Sequence, residues 1–302
     1  MDRKTETGRL FIYLAFAFGL TWIVFFAYIF SGNVWMADGR LSGMDQFVSL
    51  GMLLPAVAAL LTRWVTGEGF AVTGKDSLLL GISFRDKKWI YYVLALLLPW
   101  VYLELGYALT LALSPAAFDT AYPAVLEITE REWPIIYLQP LAVMISGVIT
   151  SFAAFGEEAG WRGYMMPKMV KLWGIKKAVI FGGIIWGIWH WPLTFVGHNF
   201  GRDYFGYPFT GFGAMCVMCV FMGMILTYVT YRSGSIWPAA FLHAVNNASP
   251  SILQYVTNAD KISGWKADSV VSTLILLLPM MAIAGLIFIK FAKSDEMKMD
   301  AG

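Results

Sequence analysis

Residues 10 to 30 read LFIYLAFAFGLTWIVFFAYIF, a run without a single charged side chain. A helix that crosses the hydrocarbon core of a bilayer needs about 20 mainly apolar residues, so this run is long enough to span. It follows Arg3, Lys4 and Arg9, and Ser31-Gly32-Asn33 comes after it in place of a small-x-small cleavage site. We therefore predict a retained transmembrane helix and not a cleaved signal peptide.

Seven further apolar runs of similar length follow the first one. The chain is 58% hydrophobic and 14% charged, whereas a typical soluble domain is about 25% charged. We predict an all-α, polytopic membrane helical bundle with about eight transmembrane helices. The connectors are short, so residues 1–302 are expected to form a single membrane domain. The seven runs are residues 47 to 65, 89 to 113, 138 to 160, 178 to 197, 209 to 231, 235 to 256 and 270 to 291.

The basic residues are distributed unevenly between the two sides of this predicted bundle. If the N-terminus is cytoplasmic, 17 of the 22 Lys and Arg residues fall on the inner side. Lys and Arg in short loops favour the cytoplasm, which sets the orientation of the helices. We therefore expect an integral protein of the cell membrane with both termini cytoplasmic. The five basic residues left outside are Arg40, Arg131, Arg202, Lys261 and Lys266.

Two cysteines, Cys216 and Cys219, lie one helical turn apart in the sixth run. A Cys-x-x-Cys spacing can indicate redox chemistry or a zinc site. Their sequence neighbours are apolar, so we predict that both are small packing residues.

A cluster of ionisable residues near the end of the fourth run is the first candidate for chemistry. Ionisable groups inside membrane spans are costly and mark functional sites by default. Glu158 and Arg162 are four residues apart, so they can pair on one helical face. Glu157 lies about 100° further around the helix with no cation nearby in sequence, which makes it a candidate general base. The alternative is that both acids merely pair with basic residues at a cytoplasmic helix end.

Two later runs carry histidines that could complete such a site. His190 lies one turn after Trp186, and His198 follows in a loop rich in Gly and Asn. His243 and Asn247 share one helical face in the seventh run. Each can alternatively be a hydrogen-bonded packing residue, and for His198 we favour that alternative.

In this order, Glu-Glu-xxx-Arg, aromatic-xxx-His and His-xxx-Asn resemble the CPBP family: the Rce1-type CAAX prenyl endopeptidases and the bacteriocin-processing and immunity proteins. The resemblance covers the core region, residues 138–250, and is carried by residues in all three motifs. One departure is Trp186, since the second motif of the family usually begins with Phe. The matching residues are Glu157, Glu158, Arg162, His190, His243 and Asn247.

The resemblance implies hydrolysis of a peptide bond within the membrane, in a conical bundle with its active site open towards the cytoplasm. A compatible mechanism has Glu157, assisted by His190, activate a water molecule. His243 and Asn247 would then stabilise the oxyanion, while Glu158 and Arg162 would support the helix.

A zinc ion is a second way to activate the water. Glu157, His190 and His243 are three possible ligands of an open zinc site. The sequence leaves both mechanisms open. We prefer the metal-free one, because the chain lacks the His-Glu-x-x-His pair that places two zinc ligands on one helix.

Functions of other classes remain as alternatives. No aspartate falls in a predicted span and no Gly-x-Ser-Gly segment occurs, which argues against aspartyl and rhomboid-type intramembrane proteases. A non-catalytic immunity protein could keep the same motifs. A proton-coupled transporter could use Glu104 beyond Pro99, although no internal repeat supports that class. The expected partners are the lipid bilayer and a membrane protein or peptide, prenylated or not, and no nucleic acid.

Overall fold

The computed structural model describes residues 3–33, 41–71, 77–128, 132–248 and 251–293. These residues form an all-α bundle, as predicted, together with short 3₁₀ turns in the loops. The α-helices are α1 (Arg3–Ile29), α2 (Met44–Val65), α3 (Trp89–Leu113), α4 (Tyr122–Val125), α5 (Trp133–Glu158), α6 (Met166–Trp173), α7 (Ile175–Trp189), α8 (Trp191–Phe195), α9 (Phe209–Ser233), α10 (Trp237–Asn247) and α11 (Ser269–Lys293).

Apolar side chains cover the outside of the bundle as well as its core. On α5, for example, Ile145, Ile149 and Phe152 are all more than half exposed. Such a surface suits lipid, because a helix satisfies its own backbone hydrogen bonds and can then face hydrocarbon directly. The prediction of a polytopic membrane protein is confirmed.

The predicted count of eight transmembrane helices is not confirmed. Five helices, α1, α2, α3, α9 and α11, are long and apolar enough to cross a membrane. A sixth span results if the bent pair Trp133–Ile149 and Ser151–Trp173 is counted as one. The helices α7 and α10 have only 15 and 11 residues, about 22 and 16 Å at 1.5 Å per residue. For α7 the cause lies in the sequence, because Pro192 interrupts the run predicted over 178–197.

A widened helical turn follows directly after the two adjacent glutamates. Residues Ala159–Met165 are π-helical and connect α5 to α6. Glycines let this segment approach α2 closely: a Cβ at Gly156 would lie 2.5 Å from the Met52 carbonyl oxygen, and one at Gly160 would lie 2.6 Å from the Pro55 carbonyl carbon. Gly156 and Gly160 are four residues apart, and such a small-xxx-small pair lets two helices pack closely. Single π turns often occur at functional sites in helices.

A second pair of glycines brings α7 against α9. A Cβ at Gly187 would lie 2.5 Å from the Cys216 Cα, and one at Gly183 would clash with the Cα of Val220. This close crossing places the C-terminal end of α7, with its histidine, beside the middle of α9.

An ion-pair network joins the start of α1, the end of α2 and α6, and we call the end of the bundle that contains it the basic end. Lys171 Nζ lies 2.8 Å from Glu6, and Lys168 Nζ lies 2.5 Å from Glu68. Burial opposes ionisation of Glu68, but hydrogen bonds from Lys168 and Tyr164 outweigh it and hold the pKa of this carboxyl below its usual value. The loops at the other end of the bundle form what we call the opposite end.

Candidate active site

A cavity of about 570 Å³ lies inside the bundle. Its walls come from α2, α3, α5, α7, α9, α10 and α11 and from the loop after α8. Four of the predicted site residues line it together: Glu157, His190, His243 and Asn247. Residues from three helices, far apart in sequence, thus meet at one space large enough for a peptide segment.

Glu157 is buried, with 1% of its surface exposed, and faces this cavity. Its Oε2 accepts a hydrogen bond of 2.6 Å from the indole Nε1–H of Trp186. No cation lies near Glu157 in the sequence, and the partner that the fold supplies, Trp186, is neutral. The second oxygen, Oε1, is the one left to hold a water molecule.

Glu158 points to a different set of neighbours. Its Oε1 lies 3.0 Å from Arg162 Nη1, so the predicted ion pair is confirmed. The same oxygen lies 2.9 Å from His243 Nδ1, on α10. Glu158 is completely buried and is not part of the cavity wall. It therefore does more than the predicted support of its own helix, because it also orients a histidine of the cavity.

His190 caps the C-terminal end of α7, and its Nδ1 lies 2.8 Å from the carbonyl oxygen of Trp186. A carbonyl can only accept, so Nδ1 must carry the proton. In the neutral ring, Nε2 is then an acceptor that can bind the hydrogen of a water molecule. This is the form of histidine that can assist a general base.

His243 is oriented by a carboxylate neighbour, Glu158. Nδ1 donates to Glu158, so Nε2 carries a hydrogen only when the ring is an imidazolium. A carboxylate next to Nδ1 stabilises that cation. Asn247, one turn later, is exposed to the cavity, and its Oδ1 accepts a hydrogen bond from Asn246. The Asn247 amide N–H₂ and a protonated His243 are thus both available as donors.

Trp186 contacts four of the charged or titratable residues described above, and the sequence indicated it only as an aromatic motif residue. Besides its hydrogen bond to Glu157, its ring lies 4.1 Å below the Arg162 guanidinium carbon. The rings of His190 and His243 lie 5.7 and 5.5 Å from it. A phenylalanine could make the ring contacts but not the hydrogen bond.

Two residues that were predicted to have only packing roles also lie on the cavity wall. Cys219 lines the cavity and its Sγ is 3.9 Å from His190 Nδ1, so the expectation of purely apolar surroundings is wrong. His198 lines the cavity too, with its ring parallel to that of His190 at 6.3 Å. Cys216 instead contacts the carbonyl of Ile184, as a packing residue would. No sequence signal separates the two cysteines, because the difference depends on how α9 faces α7.

The sequence offered Glu157, His190 and His243 as three possible zinc ligands. Within the described ranges, no three His, Cys, Asp or Glu side chains are grouped closely enough to hold a metal ion. The zinc prediction stays untested, and no step below depends on it.

Glu104 lies apart from this cluster, on α3. Its Oε2 accepts hydrogen bonds from the Ser251 hydroxyl at 2.6 Å and from the Ile252 N–H at 2.9 Å. Glu104 therefore holds the segment after α10 against α3. This is a structural role, and it is the alternative to a role in a proton pathway.

Comparison with known proteins places the cavity residues in one region. A family model described as Rce1-like, type II CAAX prenyl endopeptidase Rce1-like, matches residues 137–249. This part of the chain is similar to the Rce1-like family. The match nearly coincides with the predicted core region 138–250, and the resemblance to CPBP proteases is confirmed for it.

A curated relative matches over a similar length. The chain is 32% identical over 112 residues to a CAAX prenyl protease 2 from Methanococcus maripaludis. The aligned part is 36% of this chain and 41% of that relative, so the match spans about two fifths of the relative's length. The Rce1-like region contains Glu157, His190, His243 and Asn247, together with Trp186.

Proposed function

We propose that this protein is an intramembrane endopeptidase that hydrolyses a peptide bond of a membrane-associated protein or peptide. The observation that carries the proposal is the convergence of Glu157, His190, His243 and Asn247 on one cavity within the bundle. An Rce1-like match over the same residues supports the reaction class.

The first step is activation of water by Glu157. A water molecule between Glu157 Oε1 and His190 Nε2 gives a proton to the carboxylate while its oxygen attacks the carbonyl carbon of the substrate. Glu157 can act as a base because its other oxygen is held by Trp186, which fixes the carboxylate. A positioned general base contributes typically 10²- to 10⁴-fold to the rate.

The oxyanion that forms on the carbonyl oxygen needs donors on the far side of the carbon. Imidazolium Nε2–H of His243 and the amide N–H₂ of Asn247 can supply them from one face of α10. Glu158 contributes indirectly, since its carboxylate at 2.9 Å from His243 Nδ1 orients the imidazole ring. When the C–N bond breaks, the proton held by Glu157 passes to the leaving amine, which completes hydrolysis.

Incubation of the purified full-length protein in detergent with a panel of peptides tests this proposal. Wild type and Glu157→Gln would be compared, with products identified by mass spectrometry. We expect cleavage by the wild type and loss of it by orders of magnitude in the variant, at an equal yield of folded protein. Absence of cleavage by the wild type across the panel, or full cleavage by Glu157→Gln, would refute the proposal. The first result would favour a non-catalytic immunity-type protein.

A further inference from the structure

Asn247 is the last residue of α10, so its position depends on what holds that end of the helix. The helix has only 11 residues. Helix ends fray, because the groups of the last turn have no partners further along the helix. A side-chain amide that must point at a substrate oxygen therefore needs support from another element.

That support comes from α3. Tyr102 has none of its surface exposed, and its hydroxyl donates a hydrogen bond to Asn246 Oδ1. Two residues later on α3, Glu104 accepts a hydrogen bond of 2.6 Å from the Ser251 hydroxyl, in the segment that follows α10. The two contacts fix the chain on both sides of Asn247.

Tyr102 is itself held by close packing of α3 on α11. Gly106 lies one turn after Tyr102, and a Cβ at Gly106 would overlap the carbonyl oxygen of Leu276. The two backbones therefore touch at this point, which leaves α3 little freedom to move. The Tyr102 hydroxyl is a fixed donor at the end of α10.

Asn246 transmits this constraint to its neighbour. Its Nδ2 donates a hydrogen bond of 3.3 Å to Asn247 Oδ1. The oxygen and the nitrogen of a primary amide lie on opposite sides of one plane, so a bond from Tyr102 to the oxygen leaves the nitrogen for Asn247. The Asn247 oxygen is then occupied, and its N–H₂ group is left for the cavity that Asn247 lines. We call these two hydrogen bonds, Tyr102 to Asn246 and Asn246 to Asn247, the amide relay.

The orientation of the Asn247 amide decides whether it stabilises or repels an oxyanion. The nitrogen end donates hydrogen bonds, whereas the oxygen end only accepts them. If the amide is flipped, its oxygen faces the negative charge that develops on the substrate carbonyl. The two ends have nearly the same shape, so packing alone does not select between them. A hydrogen bond has to make that selection.

We propose that Tyr102 and Asn246 are positioning residues for peptide hydrolysis: the amide relay holds Asn247 with its N–H₂ group towards the substrate carbonyl. This inference rests on the proposed endopeptidase function. Both residues act through Asn247, and neither is one of the motif residues that carry the CPBP resemblance. Tyr102 and Asn246 are 144 positions apart, so no sequence spacing connects them.

Nuclear magnetic resonance of the detergent-solubilised protein, labelled with ¹⁵N at asparagine only, tests the relay without an enzymatic assay. Side-chain amide signals are assigned by substituting one asparagine at a time. The chain has five asparagines: Asn33, Asn199, Asn246, Asn247 and Asn258.

Tyr102→Phe removes the first bond of the relay, and we expect it to shift the side-chain amide signals of both Asn246 and Asn247. Tyr92→Phe is the matched control. It removes a buried hydroxyl from the same helix, but one without a hydrogen-bond partner in the described residues, and like Tyr102 it lies outside the cavity wall. This control should shift neither signal. An Asn247 signal that stays unchanged in Tyr102→Phe overturns the relay, whether or not the protein is an enzyme.

Steady-state cleavage of a peptide measures what the relay contributes to turnover. Tyr102→Phe should lower kcat roughly 2- to 10-fold, the effect of one neutral hydrogen bond. KM should change little, because an oxyanion donor acts in the transition state. In an Asn247→Ala background, Tyr102→Phe should cause no further loss, since the amide that it orients is absent. A further loss of the same size there would mean that Tyr102 has only a structural role.

Asn246→Asp should reverse the second bond of the relay instead of only breaking it. The carboxylate still accepts from Tyr102, but it cannot donate to Asn247 and instead attracts the Asn247 N–H₂ group. We therefore expect a lower kcat for Asn246→Asp than for Asn246→Ala. The difference should vanish in an Asn247→Ala background. If it persists there, the added charge causes it and the relay is contradicted.

The two kinds of measurement separate this inference from the proposed function. If the wild type cleaves no peptide but Tyr102→Phe shifts the Asn247 signal, the function is refuted and the relay is supported. If the wild type cleaves and Glu157→Gln does not, while the Asn247 signal is independent of Tyr102, the function is supported and the relay is refuted.

Discussion

Replacing Trp186 with phenylalanine should lower turnover without unfolding the protein. Phenylalanine keeps an aromatic ring next to Arg162 and the two histidines, so packing is mostly retained. It removes the Nε1–H that donates to Glu157 Oε2 at 2.6 Å. A hydrogen bond to a charged group contributes about 1.5 to 3 kcal/mol. If that bond positions Glu157 for proton abstraction, its loss corresponds to a kcat roughly 10- to 100-fold lower.

The assay is steady-state cleavage of one peptide by detergent-purified protein, with kcat and KM measured separately. We expect the decrease in kcat, with KM changed far less, because the bond acts on the base and not on substrate contacts. Trp161→Phe is the matched control. It also removes a buried indole N–H, but one without a hydrogen-bond partner in the described residues and outside the cavity wall. This variant should keep near-normal kcat.

A double variant shows whether Trp186 acts through Glu157. In a Glu157→Gln background the carboxylate is already absent, so Trp186→Phe should cause little further loss of the residual turnover. The reasoning fails if Trp186→Phe retains normal kcat. It fails equally if the two substitutions reduce turnover independently, since Trp186 would then act on something other than Glu157.

Four further outcomes follow from the same contacts. Glu158→Gln should lower both the melting temperature and kcat, by breaking a buried pair worth roughly 3 to 5 kcal/mol, whereas Glu157→Gln should lower kcat alone. Asn247→Ala should reduce kcat roughly 10²- to 10³-fold, as measured for removal of single oxyanion donors. His243→Gln, which can still donate, should be milder than His243→Ala; stoichiometric zinc lost from both, by elemental analysis, would contradict the metal-free mechanism. Glu68→Gln should lower the melting temperature at neutral pH, and this difference should disappear as the pH falls through the lowered pKa of the Glu68 carboxyl, because protonation removes the stabilisation that the ionised group provides.

The sequence was sufficient to predict the all-α class, because an apolar run such as residues 10–30 satisfies its backbone hydrogen bonds in a bilayer by forming a helix. It was insufficient for the number of spans. Length and hydropathy do not show that the helix around His190 ends before Pro192, or that α10 ends at Asn247. The C-terminal ends of α7 and α10 both contribute residues to the cavity wall. The two short helices end inside the bundle, and hydropathy alone suggests that they continue.

Contacts within the site could be predicted from the sequence where the two residues are one helical turn apart. They could not be predicted where the two residues lie on different helices. Glu158 and Arg162 could be paired from their spacing. The contact between Glu158 and His243 joins residues 85 positions apart, and that between Glu157 and Trp186 joins residues 29 apart. The packing of α5 on α10 and the crossing of α7 over α9 determine these contacts. The spacing of Gly183 and Gly187 indicates that another helix packs closely there, but it does not indicate which helix.

The different surroundings of the two adjacent glutamates follow from the helical rotation of 100° per residue. That rotation turns Glu157 towards the cavity and Glu158 towards α10. Glu158 is held by Arg162 and His243, which both contact its Oε1, so its charge is compensated by protein groups. Glu157 has no ion pair among the described residues, and its bond from Trp186 fixes the carboxylate without neutralising it. A buried carboxylate that is oriented but not neutralised can take a proton from water, so the proposed chemistry assigns that step to Glu157.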